Sequence, residues 1–186
     1  MVALLVTSCG AGTPTPVEPE ELSASKAGGL YLSAVCPVND EWDRVDLEID
    51  RLRLALGRGD GSPKNAARAL VDLADASARS EKALAPKGQA WPTAAEPAIE
   101  AVRDTLRADR AQALRVAKLP ADELVAYSWQ GSAEIATAAS DARSALGLPA
   151  NALDACVQWG EQQAERDQQS NSERKQEQSS KTQQSD

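Results

Sequence analysis

The 186-residue chain has no histidine and no phenylalanine, one methionine, and only 3% aromatic residues. Without histidine, a protein lacks the commonest general base, the Ser-His and Cys-His nucleophile pairs, and most zinc sites. Any catalysis would have to use carboxylates or lysine. We therefore expect a protein that is not an enzyme and that carries neither a cofactor nor a metal ion.

With aromatic residues and methionine so scarce, alanine, leucine and valine must supply most of the core. That composition favours helices that pack closely against one another. After Cys9 there is no run of about 20 apolar residues, so no transmembrane helix is predicted. The net charge is −8. An acidic surface repels phosphate backbones, and we expect no nucleic-acid partner.

Apolar residues recur at helical spacing, and proline or glycine separates the segments. The clearest stripe steps by three and four residues through Trp42, Val45, Ile49, Leu52 and Leu56. The pattern predicts helices over about 20–35, 40–56, 63–84, 93–118 and 121–146, with a shorter one beginning near 149. The fold class is therefore all-α, an up-and-down bundle of four main helices plus short flanking helices.

Two boundaries in that prediction rest on particular residues. Cys36-Pro37 is expected to end the first helix, because the residue before a proline avoids the α region. Residues 168–186 contain only Gln, Ser, Glu, Lys, Asn, Thr, Arg and Asp, which cannot form a core. We expect that tail to be disordered, which leaves 21–167 as the bundle domain.

Near its start the chain reads Val6, Thr7, Ser8 and Cys9, after a short apolar run. This motif resembles the lipobox of bacterial lipoproteins. The resemblance implies that 1–8 is a truncated signal peptide whose start codon was assigned too late, that Cys9 is lipidated, and that 9–20 is a flexible tether. The alternative is a disordered N-terminus with a chance match.

The resemblance also implies a location, the outer face of the cell membrane, where the lipid on Cys9 holds the chain. The alanine, arginine and aspartate bias further resembles small helical lipoproteins of actinobacterial type. If Cys9 carries lipid, Cys36 and Cys156 remain as one pair, and in an exported protein such a pair predicts a disulfide. The alternative is two free thiols in a cytosolic bundle.

Two groups of residues are candidate sites. Asp43, Asp46 and Asp50 share one helical face, which could bind a divalent cation or could be a solvated surface. Trp91, Trp129 and Trp159 lie off the apolar stripes and are a possible interaction surface, because exposed tryptophan is common at binding hot spots. The alternative is that these three rings pack over helix ends.

These features support two main hypotheses for function. The first is a lipid-anchored, non-enzymatic interaction or accessory module whose partner is another envelope protein or the cell wall. The second is a small ligand-binding lipoprotein with a pocket between helices, in which Trp or Tyr and the acidic face take a cationic or sugar ligand. A carboxylate-dependent envelope enzyme is a third, weaker hypothesis.

Overall fold

The structure is a computed structural model that describes residues 19–183. The lipobox-like motif and most of the expected tether lie outside these residues. Six helices and two two-residue strands follow one another along the described chain. They are β1 (Glu20–Glu21), α1 (Ala24–Leu56), α2 (Lys64–Ala83), β2 (Gln89–Ala90), α3 (Glu96–Val116), α4 (Ala121–Ala126), α5 (Ser132–Ala145) and α6 (Ala152–Gln183).

The first three long helices run up, down and up. Strand β1 pairs in parallel with β2, and the Leu22 N–H donates to the Ala90 carbonyl at 2.8 Å. This pairing holds the start of α1 beside the loop that leads into α3, so α2 must return between them. Helix α2 packs against both α1 and α3, α5 packs against α3, and α4 and α6 pack against α1. The predicted all-α bundle is confirmed.

The core is built mainly from small side chains. On α2 the inner face is formed by Ala66, Leu70, Leu73 and Ser77, which recur at helical spacing, and each of these residues is at most 1% exposed. Short side chains let α1 and α3 approach α2 closely, which makes up for the scarcity of aromatic residues with dense packing. None of the helices in the described part of the chain is both long and apolar enough to cross a membrane.

The predicted helix end at Cys36-Pro37 is wrong, because α1 continues through Pro37. A proline inside a helix removes one N–H, here the one that would bond to the Ser33 carbonyl. Ser33 and Pro37 are both exposed, so water can satisfy that carbonyl. Ala34, Cys36 and Val38 are buried beside them. Their packing outweighs the local preference, as is common for proline on the solvent side of a helix.

Two other segments also differ from prediction. The expected helix over 121–146 is divided into α4 and α5 by a loop at 127–131, where Gly131 has a φ of +80°. Residues 168–183 continue α6 instead of being disordered. Their Gln, Glu, Lys and Arg residues are good helix formers, and Asn151 caps the helix by accepting from the N–H groups of Leu153 and Asp154.

The predicted disulfide joins Cys36 on α1 to Cys156 on α6. Their Cα atoms are 5.6 Å apart, and the two residues are separated by 120 positions in the chain. The main helix contact of α6 in the described part of the chain is with α1. The disulfide therefore adds a second covalent connection, besides the 146–151 segment, between the last helix and the body of the bundle.

Replacing both cysteines, in Cys36→Ser/Cys156→Ser, should lower the free energy of unfolding by about 4–5 kcal/mol, because the unfolded chain is no longer closed into a long loop. Urea denaturation followed by circular dichroism measures this difference. Wild-type protein unfolded in the presence of a reductant should show the same loss. Equal stability of the oxidised, reduced and double-serine proteins would contradict this prediction.

Candidate functional site

Two buried polar residues of α3 hold the loop 127–131 in place. Asp109 is 3% exposed and Gln112 is 5% exposed. The Trp129 indole N–H donates to Asp109 Oδ1 at 3.0 Å, and the Tyr127 hydroxyl donates to Gln112 Oε1 at 2.9 Å. Gln112 also donates to the Gln130 carbonyl at 3.2 Å and accepts from its N–H at 3.4 Å. These bonds replace the helical ones, which explains why the predicted helix is interrupted here.

The loop brings two aromatic rings against a third on α1. The ring centroids of Trp42 and Trp129 are 4.5 Å apart with an interplanar angle of 83°, and those of Tyr127 and Trp129 are 6.0 Å apart at 81°. Edge-to-face pairs of this kind stabilise by about 0.5–1.5 kcal/mol beyond their buried area. We call Trp42, Tyr127 and Trp129 the aromatic cluster. It joins α1 to the loop, and Asp109 and Gln112 fix its geometry.

Next to the aromatic cluster lies a cavity of about 110 Å³ between α1, α3, α5 and α6, here called the interhelical cavity. Half-buried residues contribute to its lining, so it is not sealed on every side. Most of its wall is apolar. The larger apolar contributors are Leu32, Val35, Val38, Trp42, Val102, Leu106 and Ile135. Its polar contributors are Tyr31, Asn39, Thr105, Asp109 and Arg143.

Asp109 is the most unusual of these polar residues. Burial raises the pKa of its carboxyl group, and the hydrogen bond from Trp129 opposes that rise. Within the described part of the chain Oδ2 has no hydrogen-bond donor, and no basic side chain lies within 4.0 Å of the carboxyl group. A carboxyl group with one free oxygen therefore lines a mostly apolar cavity.

Tyr31 and Arg143 lie at the other end of the interhelical cavity. The Tyr31 hydroxyl donates to the Ala139 carbonyl at 3.3 Å, and the Arg143 Nε donates to the Ala150 carbonyl at 3.0 Å. Burial raises the pKa of Tyr31, and the nearby guanidinium of Arg143 partly opposes the rise. The cavity thus has an acidic end beside the aromatic cluster and a basic end beside the α5–α6 connection.

The three tryptophans proposed as one interaction surface do not come together. Trp91 is 8% exposed and donates its indole N–H to the Leu84 carbonyl at 2.9 Å, so it closes the end of α2. Trp129 belongs to the aromatic cluster. Trp159 lies against α1, where a Cβ at Gly29 would lie 3.2 Å from its ring, and Arg166 stacks over it at 5.2 Å.

The acidic face on α1 is exposed at Asp43, Asp46 and Asp50. Asp50 pairs with Arg53 at 2.7 Å. Among the described residues, no three His, Cys, Asp or Glu side chains lie close enough together to hold a metal ion. Asp46 and Asp50 instead share with the aromatic cluster and Arg53 a surface pocket of about 330 Å³, here called the outer cleft.

Comparison with known proteins adds no assignment. No family model, no curated protein and no solved structure matches the chain. Any functional conclusion therefore rests on the residues of this protein alone.

The sequence does contain a signal for Asp109. Apolar residues on α3 recur at helical spacing through Ile99, Val102, Leu106 and Ala113, and Asp109 fills the gap in this stripe. A charged residue in the middle of an apolar stripe indicates a buried polar group that needs a partner. No comparable signal connects Asp109 to Trp129, because that contact depends on the interruption of the helix at 127–131.

The buried carboxyl makes stability depend on pH. The pKa of Asp109 is higher in the folded protein than its ordinary value of about 3.9. Between these two pKa values the folded state therefore binds more protons than the unfolded state. The free energy of unfolding should then fall as the pH rises through the folded pKa. Asp109→Asn, which keeps an oxygen for Trp129, should lose this dependence. Urea unfolding at intervals between pH 3 and pH 7 measures it.

Exposed Asp141 on α5 offers the matched control. Asp141→Asn should follow the wild-type curve of stability against pH. If wild type and Asp109→Asn were to differ by the same amount at every pH, the carboxyl group would not be desolvated as described.

Proposed function

We propose that this protein is a lipid-anchored, non-enzymatic module of the cell envelope that holds a small ligand in the interhelical cavity. The observation that supports ligand binding is the position of Asp109, whose carboxyl group is buried, has one oxygen without a donor among the described residues, and lines the cavity. The anchor is supported by the lipobox-like residues ending at Cys9 and by the disulfide between the two remaining cysteines. The partner in the envelope is a protein or the cell wall.

A purely structural module needs neither of the two features that define the site. A cavity in a core is destabilising, because the residues around it lose packing contacts. A buried carboxyl group without a counter-charge is also destabilising. A ligand that fills the cavity and bonds to Asp109 would offset both the lost packing contacts and the missing counter-charge. This balance favours the ligand-binding hypothesis over an accessory role without a ligand.

The same geometry supports binding more than catalysis. Carboxylate-dependent enzymes usually place two acidic groups around the reacting bond, with opposed pKa values. Asp109 is the only acidic side chain among the described residues that line the cavity. We therefore assign it to ligand recognition and not to acid–base chemistry.

The intact mass of the protein from the membrane fraction of its native host tests the anchor. We expect a chain that begins at a lipidated Cys9, whereas Cys9→Ser should carry no lipid mass and should retain residues 1–8. An unlipidated wild-type chain that begins at Met1 in the soluble fraction would overturn the anchor.

A neutral probe of suitable size tests the cavity. Cyclopentanol should raise the melting temperature, since a ligand at 100 times its Kd stabilises the folded state by about 2.7 kcal/mol. Ala139→Leu, which fills the cavity from its wall, should abolish the shift. Ala136→Leu on the exposed side of the same helix should keep it. No shift in wild type, or equal shifts in both variants, would contradict ligand binding in the cavity.

A further inference from the structure

The acidic end of the interhelical cavity has an unfilled bonding position. Asp109 uses Oδ1 to accept from Trp129, while Oδ2 has no donor within the described part of the chain. The residue is 3% exposed, and Oδ2 is not among the fully buried unpaired atoms, so the carboxyl group is largely but not wholly removed from water. A carboxylate that is largely removed from water and has no counter-charge is costly to the folded protein. The donor that completes this position can come from a molecule in the cavity.

We infer that the interhelical cavity is a site for a small organic cation, a protonated amine on a compact apolar body, whose ammonium group pairs with Oδ2 of Asp109. The inference rests on the proposed ligand-binding function and adds the chemical class of the ligand. The charge of the ligand distinguishes three candidate classes: cations, neutral molecules and anions. An ammonium group supplies both the missing donor and the missing counter-charge, a neutral molecule supplies at most the donor, and an anion would be repelled by the carboxylate.

The walls of the cavity agree with this class. Trp42 also lines the cavity, and its indole ring packs on Trp129, the donor to Asp109. Aromatic rings attract organic cations through their negative faces, and the attraction grows when water is excluded. Farther along, Val102, Leu106 and Ile135 offer apolar contacts to the body of the ligand. Burial, which raises the pKa of Asp109, is the penalty that a cation would relieve.

The other polar groups of the cavity do not compete for this position. Arg143 acts on Tyr31, whereas Asp109 bonds to Trp129, which packs on Trp42. Tyr31 and Trp42 are separated on α1 by roughly 16 Å along the helix axis. A cation at Asp109 is therefore well removed from the guanidinium. The remaining polar contributors, Asn39 and Thr105, are uncharged.

The volume of the cavity sets the size of the ligand. At about 110 Å³ it is smaller than an engineered apolar cavity of about 150 Å³ that accepts benzene. A ring or branched chain of about six heavy atoms, including the amine nitrogen, fits this space. Cyclopentylamine and cyclopentanol are near-isosteric and differ mainly in charge at neutral pH, so the pair isolates the contribution of the ammonium group.

The test is a calorimetric titration of the full chain with each probe at pH 7. We expect cyclopentylamine to bind at least tenfold more tightly than cyclopentanol. Asp109→Asn should weaken the amine at least tenfold and leave the alcohol within twofold. The matched control is Asp46→Asn/Asp50→Asn, which removes the carboxylates of the outer cleft and should change neither Kd.

Each other outcome overturns the assignment in a distinct way. Equal binding of the two probes to wild type means that the cavity binds a ligand but does not select a cation. Loss of amine binding in Asp46→Asn/Asp50→Asn, and not in Asp109→Asn, places the cation in the outer cleft. Failure of both probes to bind removes the proposed function together with the ligand class. If Asp109→Asn does not fold, as judged by circular dichroism, the comparison of the two probes on wild type still tests whether the cavity selects a cation.

Discussion

The hydrogen bonds from the loop 127–131 to Asp109 and Gln112 are the interactions on which the other features of this bundle depend. They stop the helix that the sequence favours, and they turn Trp129 toward α1, where it meets Trp42. That arrangement positions the aromatic cluster at one end of the interhelical cavity and leaves one oxygen of Asp109 free. Because Asp109 and Gln112 are buried, breaking one of these bonds would leave a buried polar group unsatisfied, which is destabilising.

Other parts of the fold offset the destabilising effect of the interhelical cavity and of the buried Asp109. A cavity and a buried carboxyl group reduce stability, while the packing of small residues between α1, α2 and α3 adds to it. The Cys36–Cys156 bond holds α6 against α1, and Cys156 itself lines the cavity. The disulfide thus constrains the wall of the proposed binding site as well as the unfolded chain. The stabilising packing and the disulfide therefore surround the site, whereas the destabilising cavity and the buried carboxyl group of Asp109 form the site itself.

The sequence predicted those parts of the fold that depend on local spacing. The stripe from Trp42 to Leu56 and the inner face of α2 follow the helical period. The pairing of Cys36 with Cys156 was predicted on the expectation that Cys9 carries lipid. Prediction from the sequence failed where tertiary contacts decide. Packing carries α1 through Pro37, and hydrogen bonds from the loop to α3 stop the helix at 127–131. Asp109 was visible as a break in a stripe, but its partner and the cavity were not.

The indole N–H signals of the four tryptophans provide the most direct test of this account. In ¹⁵N-labelled protein, the Trp129 indole N–H should exchange slowly with water, and its chemical shift should titrate with Asp109 at a midpoint above the ordinary carboxyl value. The indole N–H of Trp91, bonded to the Leu84 carbonyl, is the internal reference, slow to exchange but without that titration. A Trp129 signal that exchanges as fast as an exposed indole and ignores pH would contradict the account.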